Sequence, residues 1–401
     1  MTSPISLEAL SSPEVIVDPF PAYGALRGAS PVRYPRVRAN KANPQREASY
    51  AWALMRHADV MAALRDPATF SSNTPAVFKT TAYLPVIHDD PPRHTQLRRI
   101  INKSLIPARI AEVSAWIGEL VGEMLDAIGP GPFEFMAGYA CPLPIRVVSR
   151  IIGLPDKDHA AFKAWSEAHV AYGSMPAEER ARKLGEMAEY LPPIIAERRA
   201  RPTGDLISSI TEAEIDGKPL TDEEMRGLVS VVILAASETS TSLIGNLLGL
   251  LADRPALWRR LREDRTLIDP VVEEALRYEA PVQRKLRLTT RPVRVGEAEI
   301  GAGELVDLCF GAANRDPAVF DDPDTFRPGR PNVAQHLGFG HNIHFCPGAA
   351  LSRLEARHTL HALLDRYPAL ARGDEPAVRQ SAAPLALGYR SLPLMFRREA
   401  A

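Results

Sequence analysis

The stretch Phe339-Gly340-His341-Asn342-Ile343-His344-Phe345-Cys346-Pro347-Gly348 sets one cysteine between an aromatic-glycine turn and the periodic run Ala349 to Tyr367. Proline suits the first helical position, so Pro347 is expected to open a helix with Cys346 at its N-terminus. Such a terminus favours negative charge and lowers a thiol's pKa, which predicts a thiolate at Cys346 and with it a metal ligand. Two other chemistries fit the same residues. His336, His341, His344 and Cys346 are all competent zinc ligands, although no second cysteine stands nearby. Alternatively, Cys346 is an inert buried thiol.

The rest of the chain limits what such a site can serve. Its 401 residues are 45% apolar and 24% charged, a globular composition with material for a sizeable core. A formal net charge of -1 gives no footing for nucleic acid or other polyanions. Cys141, Cys309 and Cys346 are far apart and odd in number, which argues against a disulfide framework and fits a reducing compartment. Cys141 and Cys309 stand in apolar stretches and read as core residues. The first twenty residues contain neither a basic stretch before an apolar run nor a run long enough for a membrane anchor, so a soluble, cytoplasmic protein is expected.

Prolines fall mostly between periodic apolar segments and read as helix boundaries. The periodicity predicts helices over 107–128, 143–152, 157–172, 177–199, 221–252, 255–262, 270–278 and 348–367. Strand signals are short: 50–55, a hairpin of 293–295 with 299–300, and 304–310. No repeat or low-complexity linker divides the chain, so 1–401 reads as a single domain, mainly α with small β-sheets. Residues 35–49 carry Arg36, Arg38, Lys41 and Arg46 against one acid, Glu47, and read as a solvated hairpin loop rather than a partner-binding arm.

Thr221 and Glu224 form a capping-box start for the 221–252 helix, which in one piece would run about 48 Å. Its apolar run Leu228 to Ala236 is followed by Ser237, Glu238, Thr239, Ser240, Thr241 and Ser242. Polar groups with an ionisable member inside such a helix are costly unless they face a cavity, a ligand or water. That marks Glu238 and Thr239 as candidates, with a back-bonded patch of no catalytic use as the plain alternative. Glu274 and Arg277, three apart, share a helix face, as do His94 and Arg98, four apart on a predicted helix.

These segments, in this order, resemble the cytochrome P450 family. The decapeptide matches its haem-ligand signature FGxGxHxCxG at Phe339, Gly340, His344, Cys346 and Gly348, and departs at Asn342, where the family has a second glycine. Asparagine tolerates the left-handed conformation that glycine serves, so the loop is expected to keep its shape. AASETS, Ala235 to Ser240, is similar to the family's AGxETT oxygen-binding stretch. Glu274 and Arg277 match its ExxR, with Arg330 of FRPGR as the third, structural member. His94, Arg98, Arg287 and His344 match its contacts to the haem propionates, for which arginine offers a matching fork. Phe339 matches the aromatic that shields the cysteine sulfur. The likeness spans most of the chain, from DPFPAYGALR to the cysteine loop.

The resemblance implies the family's triangular-prism fold, a haem b (iron protoporphyrin IX) with Cys346 as axial iron ligand, and O2 as co-substrate. It implies insertion of one oxygen atom into a substrate, the thiolate pushing electron density onto iron to favour O–O cleavage and Glu238 with Thr239 relaying protons. No glycine-rich dinucleotide or flavin fingerprint is present, so electrons are expected from a separate ferredoxin or flavodoxin with its reductase, which Arg99 and Lys103 would help to dock. The family's pocket segments correspond to 72–87, the helix before Glu238, and 281–286. Here they supply Val77, Phe78, Tyr83, Leu84, Val86, Ile87, Val232 and Ile233, which imply a predominantly apolar small molecule. Lys79 in the first segment reads as solvent-facing rather than as a carboxylate partner. A peroxide-driven peroxygenase would share the haem, but the acid-alcohol pair favours O2; a non-catalytic haem sensor and a zinc-stabilised interaction protein are the other rivals.

Overall fold

The helix Asp222–Ala252 organises the computed structural model, which describes residues 10, 12–36, 49–74, 83–155, 158–170, 175–381 and 385–397. Its capping box closes reciprocally: Thr221 N–H donates to Glu224 Oε2 at 2.8 Å, and Glu224 N–H donates to Thr221 Oγ1 at 3.3 Å. Two of the donors that a helix start leaves open are thereby satisfied. The helix then runs unbroken for 31 residues, about 46 Å by helical rise.

Its two halves serve different cores. Met225, Leu228, Val229 and Ile233 pack with Leu97, Ile101, Phe162, Trp165, Leu191 and Ile195 from three other helices. Residues 243–252, buried at every position, pack with Ile117, Tyr139, Val147, Trp258, Val272 and Leu360. A fully buried leucine or isoleucine contributes roughly 1.5–3 kcal/mol. Gly245 and Gly249 permit a close approach: a Cβ would lie 2.7 Å from the Met136 sulfur at the first and 2.8 Å from the Tyr389 ring at the second. The polar residues 237–242 fall between the two cores, which is how a polar run survives inside an otherwise apolar helix. By length and composition alone this helix would also cross a membrane, but it is the shared core helix of the fold.

The principal sheet orders Val32–Arg36, Ser49–Leu54, Leu305–Cys309, Arg284–Thr289 and Phe70–Ser71. Leu305–Cys309 runs parallel to Ser49–Leu54 and antiparallel to Arg284–Thr289, with Val306 opposite Arg287 and Leu308 opposite Lys285. Side chains alternate between the faces of a strand. Leu286 and Leu288 pack with Leu10, Tyr23 and Tyr34 on one face. Lys285 and Arg287 therefore lie on the other, with Val306 and Leu308. A smaller antiparallel sheet orders Ala369–Arg372, Pro393–Arg397 and Gly131–Glu134.

The fold is thus mainly α with small β-sheets. Helices Pro107–Asp126, Pro142–Ile152, Ala177–Ala200, Pro255–Glu263 and Ile268–Tyr278 end within two residues of their expected bounds. Phe20–Arg27, His57–Arg65 and Leu206–Thr211 were not expected; they are short and owe their form to buried contacts made by one face. Arg284–Thr289 escapes the strand signals because RKLRLT puts cations at positions where a buried strand usually shows apolar residues. Of the basic arm, residues 37–48 lie outside the described residues, and its flanks pair as strands with Pro35 opposite Tyr50.

Candidate active site

The helix after the cysteine starts at Ala349 with Gly348 as its N-cap, so Pro347 lies in the preceding turn and not at the first helical position. Cys346 N–H donates to Phe339 O at 2.9 Å and closes the loop. Gly340 and Asn342 both take left-handed backbone, at φ 69° and 58°. Asn342 thus does what glycine would, and its side-chain amide also donates to Leu64 O at 3.1 Å. Burial pushes the Cys346 thiol up, against the opposing pull of the Gly348 N–H, Arg98 and Arg353. The expected lowering by a helix terminus is therefore corrected: desolvation outweighs it, and a metal cation is what would secure a thiolate here. Cys309 is fully buried, while Cys141 is half-buried against the larger core.

Phe339 lies beneath the Arg353 guanidinium, 4.6 Å from its ring centroid. Arg353 in turn makes a two-pronged pair with Glu273, Nε to Oε1 at 2.5 Å and Nη2 to Oε2 at 2.9 Å. His336 Nε2 also pairs with Glu273, at 3.1 Å. Burial raises the Glu273 carboxyl, but these two partners overcome it and hold it at about 2. With His336 on Glu273 and His344 on Ser72, the four candidate zinc ligands do not converge. Among the described residues no group of three His, Cys, Asp or Glu is placed to hold a metal ion.

The loop is braced from behind by Glu274, Arg277 and Arg330, all buried. Arg277 donates to both Glu274 oxygens at 2.8 Å, and Arg330 Nε and the Arg327 N–H donate to Oε1 at 2.9 and 2.8 Å. The remaining guanidinium donors meet backbone carbonyls, Asn314 and Pro323 for Arg277, and Asp322 and Thr325 for Arg330. Asn314 then accepts the Leu337 N–H at 2.6 Å, tying the triad to the segment that enters the cysteine loop.

A second charged cluster is built differently. His94, Arg98, Lys285, Arg287 and His344 gather beside the cysteine loop, with the two imidazoles 4.3 Å apart. His94 is 2% exposed and neither ring nitrogen has a hydrogen-bond partner. Arg98 donates to Asn102 Oδ1 at 3.0 Å and to Phe345 O. Arg287 donates to Leu286 O at 2.9 Å, and His344 Nε2 lies 2.9 Å from Ser72 Oγ. Burial, then the neighbouring Arg287, His94, Lys285 and Arg98, push His344 down to about 2. Burial lowers Arg287 to about 10, partly offset by Asp90, and burial with Arg287 lowers Lys285 to about 8. Asp90 itself accepts from Ser71 Oγ and from the Ser72 N–H at 2.8 Å. Cations thus outnumber acids in a desolvated place, an arrangement that calls for an added anion.

In the central helix, Thr239 Oγ1 donates to Ala235 O at 2.8 Å, and the helix keeps its α form there. Ala235 is exposed although it sits mid-helix, so this face borders open space. Glu238 turns toward the helix His159–Val170, where Ser166 Oγ donates to its Oε1 at 3.4 Å. The sequence reading missed Glu355. It is 2% exposed, burial raises its carboxyl to about 8 against a Ser240 hydrogen bond, and its Oε2 has no partner. An acid between Leu354 and Ala356 in a helix that must pack was the available signal. Among the expected pocket residues, Val86 and Ile233 instead belong to a core, and Tyr83 is exposed with its hydroxyl on Asp89 at 2.6 Å. Val77, Phe78 and Lys79 lie outside the described residues.

The class is that of a mainly helical protein whose cysteine loop is braced by a buried ion triad and flanked by a cluster in which cations outnumber acids. The family model of cytochrome P450 matches residues 154–387. Erythromycin C-12 hydroxylase of Saccharopolyspora erythraea is 37% identical over 353 residues, covering 86% of this chain and 89% of its own. The monooxygenase PikC of Streptomyces venezuelae is 35% identical, over 95% and 92%. Cyclomarin C epoxidase CymV of Salinispora arenicola is 33% identical, over 94% and 98%. Among solved structures, a mutant of P450 EryK in complex with erythromycin B superposes with a TM-score of 0.86 at 34% identity, covering 98% of this chain and 99% of that one. The chain belongs to the cytochrome P450 family. It is a monooxygenase, inserting one oxygen atom from O2 into a predominantly apolar small organic molecule with electrons from a separate redox partner. The family's cofactor, haem, has two carboxylates and one iron. The surplus cations, the two orphaned His94 nitrogens and the enclosed Cys346 thiol fit it.

Proposed function

We propose that Cys346 would bind the iron of a haem b through its sulfur, that His94, Arg98, Arg287 and His344 would receive its propionates, and that Glu238 and Thr239 would deliver protons for O2 activation. The carrying observation is the cation cluster, whose charges and unpartnered imidazole lack only an anion. When bound, haem supplies O2 activation and oxygen insertion. Arg98 and Arg287 would each present a donor fork to a carboxylate, and His94 would gain the partner its buried ring lacks. Phe339, held under Arg353, would keep water from the sulfur. Thr239 keeps its hydroxyl oxygen toward the open face while its proton rests on Ala235 O. Glu238, half-buried by Ser166, would exchange protons with solvent on their way to that hydroxyl.

The whole chain would act as one such domain, in the cytoplasm, reduced by a ferredoxin or flavodoxin with its reductase. Arg99 and Lys103 are exposed on the helix Arg93–Ser104 that carries His94. Charge reversal of both is expected to slow reduction by an acidic donor in stopped flow, and unchanged kinetics would remove them from that role. The related EryK mutant's complex with erythromycin B makes natural products the first substrates to screen. The decisive test is the absorption spectrum of the reduced protein under carbon monoxide. A strongly red-shifted Soret band that is lost in Cys346→Ala is expected; an unshifted band or no haem band in the unsubstituted protein would overturn the assignment.

A further inference from the structure

We infer that Lys285 recognises a carboxylate on the substrate, so that the molecule taken by this enzyme is an apolar body carrying one acidic group; this rests on the haem reading above. The other fixed cations of the cluster already have company. Arg98 holds Asn102 and the Phe345 carbonyl, and Arg287 feels the charge of Asp90. The Lys285 ammonium has no hydrogen-bond or ion-pair partner among the described residues, and no carboxylate stands close enough to favour its charge. The nearby acids are engaged elsewhere: Asp90 by Ser71 and Ser72, Asp89 by Tyr83 and the Val86 N–H.

Position along the strand separates this cation from the cofactor's carboxylates. Lys285 and Arg287 share a face, two residues apart, which places their Cα atoms about 6.6 Å from each other. Lys285 is the one displaced toward Gln283, whose N–H donates to Leu385 O at 2.8 Å. Leu385 is among the few exposed large apolar residues, at 38%. The lysine is half-buried, and the protein around it desolvates its ammonium without supplying a counter-charge. Two arginines match two propionates; the lysine, one strand repeat further on and beside an apolar loop, is left for another anion. A desolvated ammonium without a counter-charge is costly, and a charged hydrogen bond from a bound carboxylate would offset that cost.

The test is spectral titration of the haem-loaded protein with dodecanoic, biphenyl-4-carboxylic and cholanic acids and their primary amides, reading the spin-state shift of the Soret band and the haem content. At least one acid is expected to bind about tenfold tighter than its amide. That preference should vanish in Lys285→Met and persist in Lys285→Arg, at unchanged haem content; Lys285→Gln serves if the Met variant does not fold. The inference is overturned if no acid binds tighter than its amide, or if the preference survives in Lys285→Met. It is equally overturned if Lys285→Met loses haem while keeping the acid preference, which would give Lys285 to the propionates. Absence of a thiolate-haem spectrum in the unsubstituted protein would instead bring down the haem reading, a result that no acid-to-amide ratio can mimic.

Discussion

Two buried charged clusters flank the cysteine loop, and they end in opposite states. In Glu274, Arg277 and Arg330 the carboxylate is met by both guanidinium groups, and the guanidinium donors reach five or more named acceptors, so the charges are consumed within the fold. In His94, Arg98, Lys285, Arg287 and His344 only His94 and Arg287 are buried and the others half-buried, no carboxylate among the described residues forms an ion pair with them, and both His94 ring nitrogens are idle. The first cluster is a brace that works in the polypeptide alone. The second, on the function proposed above, is a receptor, with a cost in the empty protein that binding would relieve.

That contrast is open to test. The largest effect is expected from Glu274→Gln, which strands two buried guanidinium groups at a cost of roughly 3–5 kcal/mol, a large part of a domain's net stability. Little folded protein should remain, as judged by soluble yield and thermal unfolding. Arg287→Met should behave in the reverse manner. Haem transfer to apomyoglobin should quicken about tenfold or more, while the cofactor-free protein unfolds at no lower temperature; an apoprotein as damaged as Glu274→Gln would erase the distinction between brace and receptor.

Glu355→Gln probes a third buried charge by pH. The native carboxyl lies at about 8 against an ordinary 4.5, so between these values the folded state holds the extra proton. Stability therefore falls as pH rises through that window, with a slope approaching one proton, and the glutamine variant should lack this fall in urea unfolding measured from pH 4.5 to 8. The smallest effect is expected from Asn342→Gly, outside all three charged groups. It keeps the left-handed turn and gives up only the bond to Leu64 O, about 1 kcal/mol in thermal unfolding.

Much of this was legible in the chain because it is written at helical spacing. Glu274 with Arg277, and His94 with Arg98, need only the three-to-four-residue periodicity to share a face, and the loop around Cys346 is contiguous. What the sequence hid depends on who packs against whom. The Cys346 thiol was expected to fall and instead rises, because desolvation is a property of the surrounding shell and not of the neighbouring helix turn. Lys285 was overlooked since a strand rich in cations looks like a surface loop until both faces are seen covered. Val86 and Ile233 are apolar in either role, so composition alone could not separate pocket lining from core.

The central helix also sets a mechanical rule. Its C-terminal part from Leu243 is buried at every position, whereas its capping box is at the surface, where Glu224 also meets Arg93. For a rod pivoting near Leu243, a tilt of about 5° would carry Thr221 roughly 3 Å but Thr239 only about 0.5 Å, by helical rise. The capped end of the rod therefore has the long lever arm, while the Thr239 hydroxyl sits close to the fulcrum and holds its aim.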